Sequence, residues 1–114
     1  MTKYRPGDIV AVEFPFSELQ TRKRRPGLVL VSGDDDVVVA RLTTHPPRAA
    51  SDVALSRWAE SGLPRASTVR LTKLATIDQR LVSHVIGRLR PEDGLAVGQA
   101  FERLVSSLLS ELKQ

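Results

Sequence analysis

The sequence predicts an α+β fold in which a curled antiparallel sheet is followed by one long helix. Two patterns predict it. Up to residue 89, short runs rich in Val, Ile and Leu alternate with breaks rich in Gly, Pro and Asp, which is strand-and-turn patterning. Beyond Pro91, the residues Val97, Phe101, Leu104, Leu108 and Leu112 recur at spacings of four and three, which is one apolar helix face. Strands gathered before a helix, rather than alternating with helices, belong to the α+β class.

The elements follow in order. Gly7-Asp8 reads as a turn, and Ile9 to Phe14 as a β-branched strand that Pro15 ends by removing a backbone donor. Residues 16–25 read as a polar, basic loop. Gly27 to Ser32 and Val37 to Thr43 form the clearest hairpin, joined by Gly33-Asp34-Asp35-Asp36. Residues 45–51, with Pro46 and Pro47, read as a loop, and Asp52 to Leu55 as a short strand. Ser56 is placed to cap a helical turn over Arg57 to Ser61 that stops at Gly62. Ser67 to Thr72 reads as a strand, Lys73 to Arg80 as irregular, and Val82 to Leu89 as the last strand, with Gly87 as a bulge position. Pro91 suits the first position of a helix over 91–112, with Glu92 and Asp93 in its first turn. Leu104, Leu108 and Leu112 are expected to bury against the sheet, leaving Val105 and Leu109 as a second apolar strip for another subunit.

Length and charge narrow the class. A chain of 114 residues with 41% hydrophobic content fits one domain, residues 1–114, with a single modest core. The net charge of +4, carried by 13 Arg and 4 Lys against 13 acidic residues, favours anionic partners. The absence of cysteine excludes disulfides and thiolate chemistry. No stretch approaches the roughly 20 apolar residues of a membrane span, and the start Met1-Thr2-Lys3-Tyr4 lacks a signal-peptide centre. A soluble, cytoplasmic protein without membrane partners is expected. The two histidines and scattered carboxylates make no metal-ligand pair, so no metal or other cofactor is expected.

One juxtaposition carries chemistry. Lys23-Arg24-Arg25-Pro26 opens one apolar run and Thr43-Thr44-His45 closes the next. In an antiparallel hairpin the start of the first strand lies beside the end of the second. A guanidinium that keeps its proton then meets two hydroxyls and an imidazole at one rim of a sheet, which suits a phosphodiester.

Several stretches, in order, resemble the MazF/PemK-like toxins of bacterial type II toxin–antitoxin systems. They are Gly7-Asp8-Ile9-Val10, Phe14-Pro15-Phe16, Lys23-Arg24-Arg25-Pro26 with Leu28-Val29-Leu30, and Val38-Val39-Ala40-Arg41-Leu42-Thr43-Thr44. Asp52-Val53 with Leu55, Val69-Arg70-Leu71, Lys73-Leu74 and Ile86-Gly87-Arg88-Leu89 follow. The similarity runs from about residue 5 to about residue 105. It implies an SH3-like small barrel with a C-terminal amphipathic helix, assembled as a homodimer. It further implies a metal-independent, sequence-selective endoribonuclease acting on single-stranded RNA. Its implied inhibitor is a cognate antitoxin whose acidic, extended tail occupies the RNA groove. By motif, Arg25 falls on the family's catalytic arginine and Thr43 on its catalytic threonine. Two positions depart from the family pattern: the loop 16–24 has no His, and Thr72 stands where some members carry Asp.

RNA cleavage without a metal uses the 2′-hydroxyl as nucleophile and leaves a 2′,3′-cyclic phosphate. The protein must orient that oxygen, accept its proton, steady the phosphorane and protonate the leaving 5′-oxygen. Arg25 would stabilise the phosphorane, although a guanidinium holds its proton too tightly to make a good general acid. Thr43 would hydrogen-bond the same oxygens. For the base, Glu18, Glu13, His45 or water alone stay open, with an ordinary imidazole titrating near neutrality. Lys23, Arg24, Thr44, Arg70 and Thr72 are the candidate RNA-binding residues, Arg70 because it points away from Val69 and Leu71. His84 reads as packed or solvated, Asp34-Asp35-Asp36 as a turn, and Trp58 as a packing anchor or dimer contact. Small barrels of this shape also serve as non-catalytic binding modules. A DNA contact within a toxin–antitoxin complex is a further expectation.

Overall fold

A computed structural model of the chain describes residues 3–13 and 24–114. Among the described residues, six strands precede one helix: β1 (Asp8–Glu13), β2 (Arg24–Ser32), β3 (Asp36–Thr43), β4 (Asp52–Ala54), β5 (Thr68–Asp78), β6 (Val82–Arg88) and α1 (Pro91–Leu112). A single 3-10 turn, Gln79–Leu81, links β5 to β6. All pairings are antiparallel, in the order β4-β5-β3-β2-β1-β6. The α+β expectation holds. No helix among the described residues is long and apolar enough to cross a membrane.

The sheet buries both faces, and strand alternation assigns residues to each. Val10, Val12, Val29, Val37, Val39, Ala75, Ile77 and Val82 form a core on one face, closed by Tyr4. Ile9, Leu28, Ala40, Leu42, Val69 and Leu71 form a second core on the other, covered by Leu55, Leu63 and the helix residues Val97 and Ala100. We call these the valine face and the helix face. Trp58 packs against the helix-face core.

Three features differ from the sequence expectation. First, β5 continues through the segment expected to be irregular. Its register with β3 jumps from Arg41↔Arg70 to Ala40↔Leu74, so residues 71–73 form a bulge. The odd insertion turns the strand over. Val69 and Leu71 serve the helix-face core while Ala75 and Ile77 serve the valine-face core, although all four share one parity. Second, β2 begins at Arg24, inside the expected loop. Pro26 is tolerated because it pairs with Ala11 of β1, while the ladder with β3 starts only at Gly27. Third, the distal helix stripe is not buried: Leu108 is 54% and Leu112 69% exposed. A helix of 22 residues runs about 33 Å at 1.5 Å per residue, and its buried residues, Asp93, Val97 and Ala100, all lie in its first half.

The two sheet edges approach each other through the segment after β4. Ser61 and Gly62 (φ +93°) lie against β6, and a Cβ added to Gly87 would sit 1.9 Å from the Ser61 carbonyl oxygen. Gly87 does border the expected bulge, since the β1 ladder skips from Ile9↔Gly87 to Val10↔Val85. The close approach is the stronger reason for a glycine there. Ser56 does not cap its turn through its side chain. Instead, buried Asp93 of α1 accepts from Ser56 N (2.8 Å), Ser56 Oγ (2.9 Å) and Arg57 N (2.8 Å). That carboxylate fastens the helix to the crossing segment. Arg57 reinforces the joint from outside by pairing with Glu60 and Glu92.

Candidate active site

The register builds the site. Gly27 of β2 faces Arg41 of β3. The ladder ends there; continued two residues outward, the same register brings Arg25 and Thr43 to one rim on the same face. Arg25 also pairs with Val12 across β1. On the far side of β3, Arg41 pairs with Arg70 and Thr43 with Thr68 of β5, and Asp52 of β4 pairs with Arg70. Alternation puts Arg25, Arg41, Thr43, Arg70 and Asp52 all on the valine face, where β3 ends and β2 and β5 begin.

Electrostatics corroborate the clustering. The Arg41 guanidinium is held below the ordinary arginine value, chiefly by burial and then by the positive charges of Arg25 and Arg70. Such an arrangement costs free energy in the absence of an anion. Among the described residues, Asp52 offsets part of it. Asp52, its side chain only 1% exposed, meets Arg70 Nε at 3.4 Å and accepts from Arg48 N at 2.9 Å. Burial pushes the Asp52 carboxyl upward, but the Arg48 N–H and the Arg70 charge outweigh it and leave it below the usual aspartate range.

Thr43 is oriented by its own turn. The His45 backbone N–H donates to Thr43 Oγ1 at 3.2 Å. The hydroxyl keeps its own proton to donate, and the exposed Arg25 is positioned across the ladder. Together they offer a phosphate one charged fork and one hydroxyl donor.

The other sequence candidates distribute as follows. His45 lies beside the pair through its backbone and is exposed, as is Thr44. Arg70 reaches the cluster but is tied to Asp52. Thr72 is exposed within the β5 bulge, two residues past Arg70. Arg24 and Glu13 pair with each other in register and alternate onto the face opposite Arg25 and Val12, so the structure does not join them to the cluster. Glu18 and Lys23 lie outside the described residues. His84 is exposed, its Nδ1 3.1 Å from Ser83 Oγ. Among the described residues no group of three or more His, Cys, Asp or Glu is arranged to hold a metal. Arg41 and Asp52 were not singled out from the sequence. The signal for Arg41 was present, since it stands two residues before Thr43 and shares its face.

The family model for the PemK-like, MazF-like toxin of type II toxin–antitoxin systems matches residues 5–105. The chain belongs to this family. The fold agrees with solved structures of MazF-type toxins. An endoribonuclease from a mycobacterial species superposes with a TM-score of 0.73 at 17% identity, covering 93% of this chain and 94% of that one. A mycobacterial endoribonuclease in complex with its cognate antitoxin gives 0.72 at 17% identity, covering 89% and 93%. The Mycobacterium tuberculosis toxin MazF-mt6 gives 0.64 at 27% identity, covering 86% and 97%. Comparison with curated proteins yields no match. Within the PemK/MazF family, the expected small barrel with a C-terminal helix is thus the fold of this chain as well.

Proposed function

We propose that the chain is the toxin of a type II toxin–antitoxin pair and acts as a metal-independent endoribonuclease on single-stranded RNA, inhibiting growth. The observation that supports this reading is the β2–β3 register, in which Gly27 faces Arg41 and whose outward continuation brings Arg25 and Thr43 to one rim of the sheet. The 2′-oxygen attacks the adjacent phosphorus in line as it loses its proton to a base. The bond to the 5′-oxygen then breaks, and that oxygen takes up a proton. The products are a 2′,3′-cyclic phosphate and a 5′-hydroxyl. Arg25 faces the non-bridging oxygens and stabilises the charge that builds on them. Thr43, its oxygen held by the His45 N–H, donates to the same phosphoryl group. His45 is assigned the base, being the titratable residue that the Thr43 turn keeps beside the pair. DNA, lacking the 2′-hydroxyl, binds without being cut.

The reading extends to partners. An antitoxin with an acidic extended segment is complementary to the arginine cluster, and one structural neighbour is an endoribonuclease bound to its cognate antitoxin. A homodimer is supported by uncovered apolar surface: Val31, Leu95, Phe101, Leu108, Leu109 and Leu112 are exposed. A groove of about 530 Å³ between β2 and α1 adjoins this surface and includes Leu30, Val31, Leu89 and Phe101. Any DNA contact in the toxin–antitoxin complex is assigned chiefly to the antitoxin. The cytoplasm, where mRNA is found, is the expected site of action.

The test is incubation of purified protein with single-stranded RNA in excess chelator, followed by mapping of both new ends. Cuts at a short recurring sequence with cyclic phosphate ends support the reading. Intact RNA, bound with a steep salt dependence, would instead support a non-catalytic binding barrel.

A further inference from the structure

We propose that Asp52 is a positioning residue for RNA cleavage, its buried carboxylate fixing the turn that carries Thr44 and His45 beside Thr43. This deepens the ribonuclease reading and rests on it. The turn joins β3 to β4, and residues 44–50 are exposed, so packing does little to hold it. Hydrogen bonds to the side chains of the two flanking strand residues hold it instead. At its start the His45 N–H donates to Thr43 Oγ1 at 3.2 Å. At its end the Arg48 N–H donates to Asp52 Oδ2 at 2.9 Å, and the Asp52 N–H donates to the Ala49 carbonyl at 3.0 Å. Between the two anchored amides stand only Pro46 and Pro47, which have no N–H and keep φ at about −65°. A residue before proline is held extended as well, which restricts His45 and Pro46. Little backbone freedom remains from His45 to Arg48 while both anchors hold.

The second anchor is a charge. Asp52 is 1% exposed at its side chain and pairs with Arg70 across the β4–β5 ladder, its Oδ1 meeting Arg70 Nε at 3.4 Å. A carboxylate makes a stronger acceptor than a neutral oxygen, and Arg70 offsets the burial of its charge. The same charge opposes an incoming phosphate, since Asp52 and Arg70 lie on the face of Arg25 and Thr43. Asp52 therefore weakens RNA binding while it sharpens the placement of the turn. Those opposed effects separate positioning from general support of the fold, whose loss weakens binding and cleavage together. Displacing a reacting group by about 1 Å costs up to about 10²-fold in rate, so a loosened His45 is felt in the cleavage step.

The experiment compares wild type, Asp52→Ala and Asp52→Asn on a single-stranded oligoribonucleotide that bears the mapped cleavage sequence. Single-turnover cleavage at saturating protein reads the rate. Fluorescence anisotropy of the same strand with a 2′-deoxy sugar at the cut reads affinity. Asp52→Ala should cleave about 30-fold more slowly, within the loss that misplacement brings. It should nevertheless bind about threefold more tightly at low salt, the scale of one nearby charge removed. Asp52→Asn keeps an acceptor for the Arg48 N–H and should recover about tenfold of the lost rate while retaining the tighter binding. The double variant Pro46→Gly, Pro47→Gly frees the turn without touching the buried pair and should slow cleavage as Asp52→Ala does, so the test survives if Asp52→Ala does not fold. Relaxation of the amide nitrogens, read by NMR, needs no RNA. The His45 and Arg48 amides should match the strands in wild type, with order parameters of about 0.85, and fall toward about 0.6 in Asp52→Ala. Equal losses of rate and affinity in folded Asp52→Ala, or order parameters unchanged from wild type, overturn the proposal. If wild type cuts no RNA, the ribonuclease reading fails by itself, and the relaxation data still decide whether Asp52 fixes the turn.

Discussion

Replacing Asp93 with alanine should loosen the fold while sparing the site. Its carboxylate is 2% exposed and accepts three hydrogen bonds from residues 56 and 57. Hydrogen bonds to a charged group contribute about 1.5–3 kcal/mol each, and orphaned buried donors cost about 1–3 kcal/mol. Simple addition overstates the loss, because Ser56 and Arg57 are exposed residues and their donors can turn to water. A net destabilisation of about 3 kcal/mol is expected, near the middle of the range for breaking a buried polar network. At about 4 °C per kcal/mol for a domain of this size, the melting temperature should fall by about 12 °C. Asp93→Asn keeps one acceptor oxygen but turns an amide N–H₂ toward the remaining donors, so it should fall by roughly half as much. The assay is thermal unfolding followed by far-UV circular dichroism. RNA cleavage is then measured well below the transition. Asp93 binds on the helix side and the arginine cluster lies on the valine face, so activity per folded molecule should be unchanged. A melting temperature within 2 °C of wild type would refute the idea that this carboxylate fastens the helix to the crossing segment.

Further expectations follow from the same geometry. Gly87→Ala forces a Cβ into the Ser61 carbonyl, a contact of 1.9 Å against backbone, and should cost about 3 kcal/mol or more, at the upper end for overpacking. Urea denaturation measures it, and a midpoint equal to wild type would contradict the edge closure. Because the folded Asp52 carboxyl titrates below its ordinary value, its stabilising contribution is fully present above about pH 4 and is lost as pH falls through the lower folded value. The stability difference between wild type and Asp52→Asn should therefore shrink on acidification below about pH 4, and a constant difference would argue against the ion pair. Thr43→Val keeps the shape but removes the hydroxyl; cleavage should fall by about 10²–10³-fold, the loss typical of one transition-state donor, with RNA affinity changed far less. Equal losses in both would make Thr43 a binding residue only.

Much of this was legible in the sequence because local pattern and global fold agree over most of the chain. The apolar, β-branched runs Ile9–Val12 and Val37–Leu42 marked strands, and Pro91 with its acidic neighbours marked the helix start. The β2–β3 hairpin that carries Arg25 and Thr43 was legible too, and the two strands do pair. What escaped depends on long-range events. The β5 bulge cannot be read from the period of Val69, Leu71, Ala75 and Ile77, because an odd insertion preserves parity while reversing the face. Asp93 looked like an ordinary first-turn acid, since its partners lie 36 and 37 residues away. Arg24 and Arg25 looked equivalent in a basic loop; only once β2 is seen to start at Arg24 does alternation send them to opposite faces. Of the apolar helix stripe, Val97 is buried and Leu104 packs half-buried against the core, whereas Phe101, Leu108 and Leu112 are exposed.

The central claim is that Arg25 and Thr43 act together on one phosphodiester. Single-turnover cleavage of a short RNA by Arg25→Ala, with folding verified by circular dichroism, tests it most directly. The account predicts that the cleavage rate drops by at least 10³-fold, on the scale of losing a principal transition-state charge, while the melting temperature holds. A folded Arg25→Ala protein that cuts at the wild-type rate would contradict it.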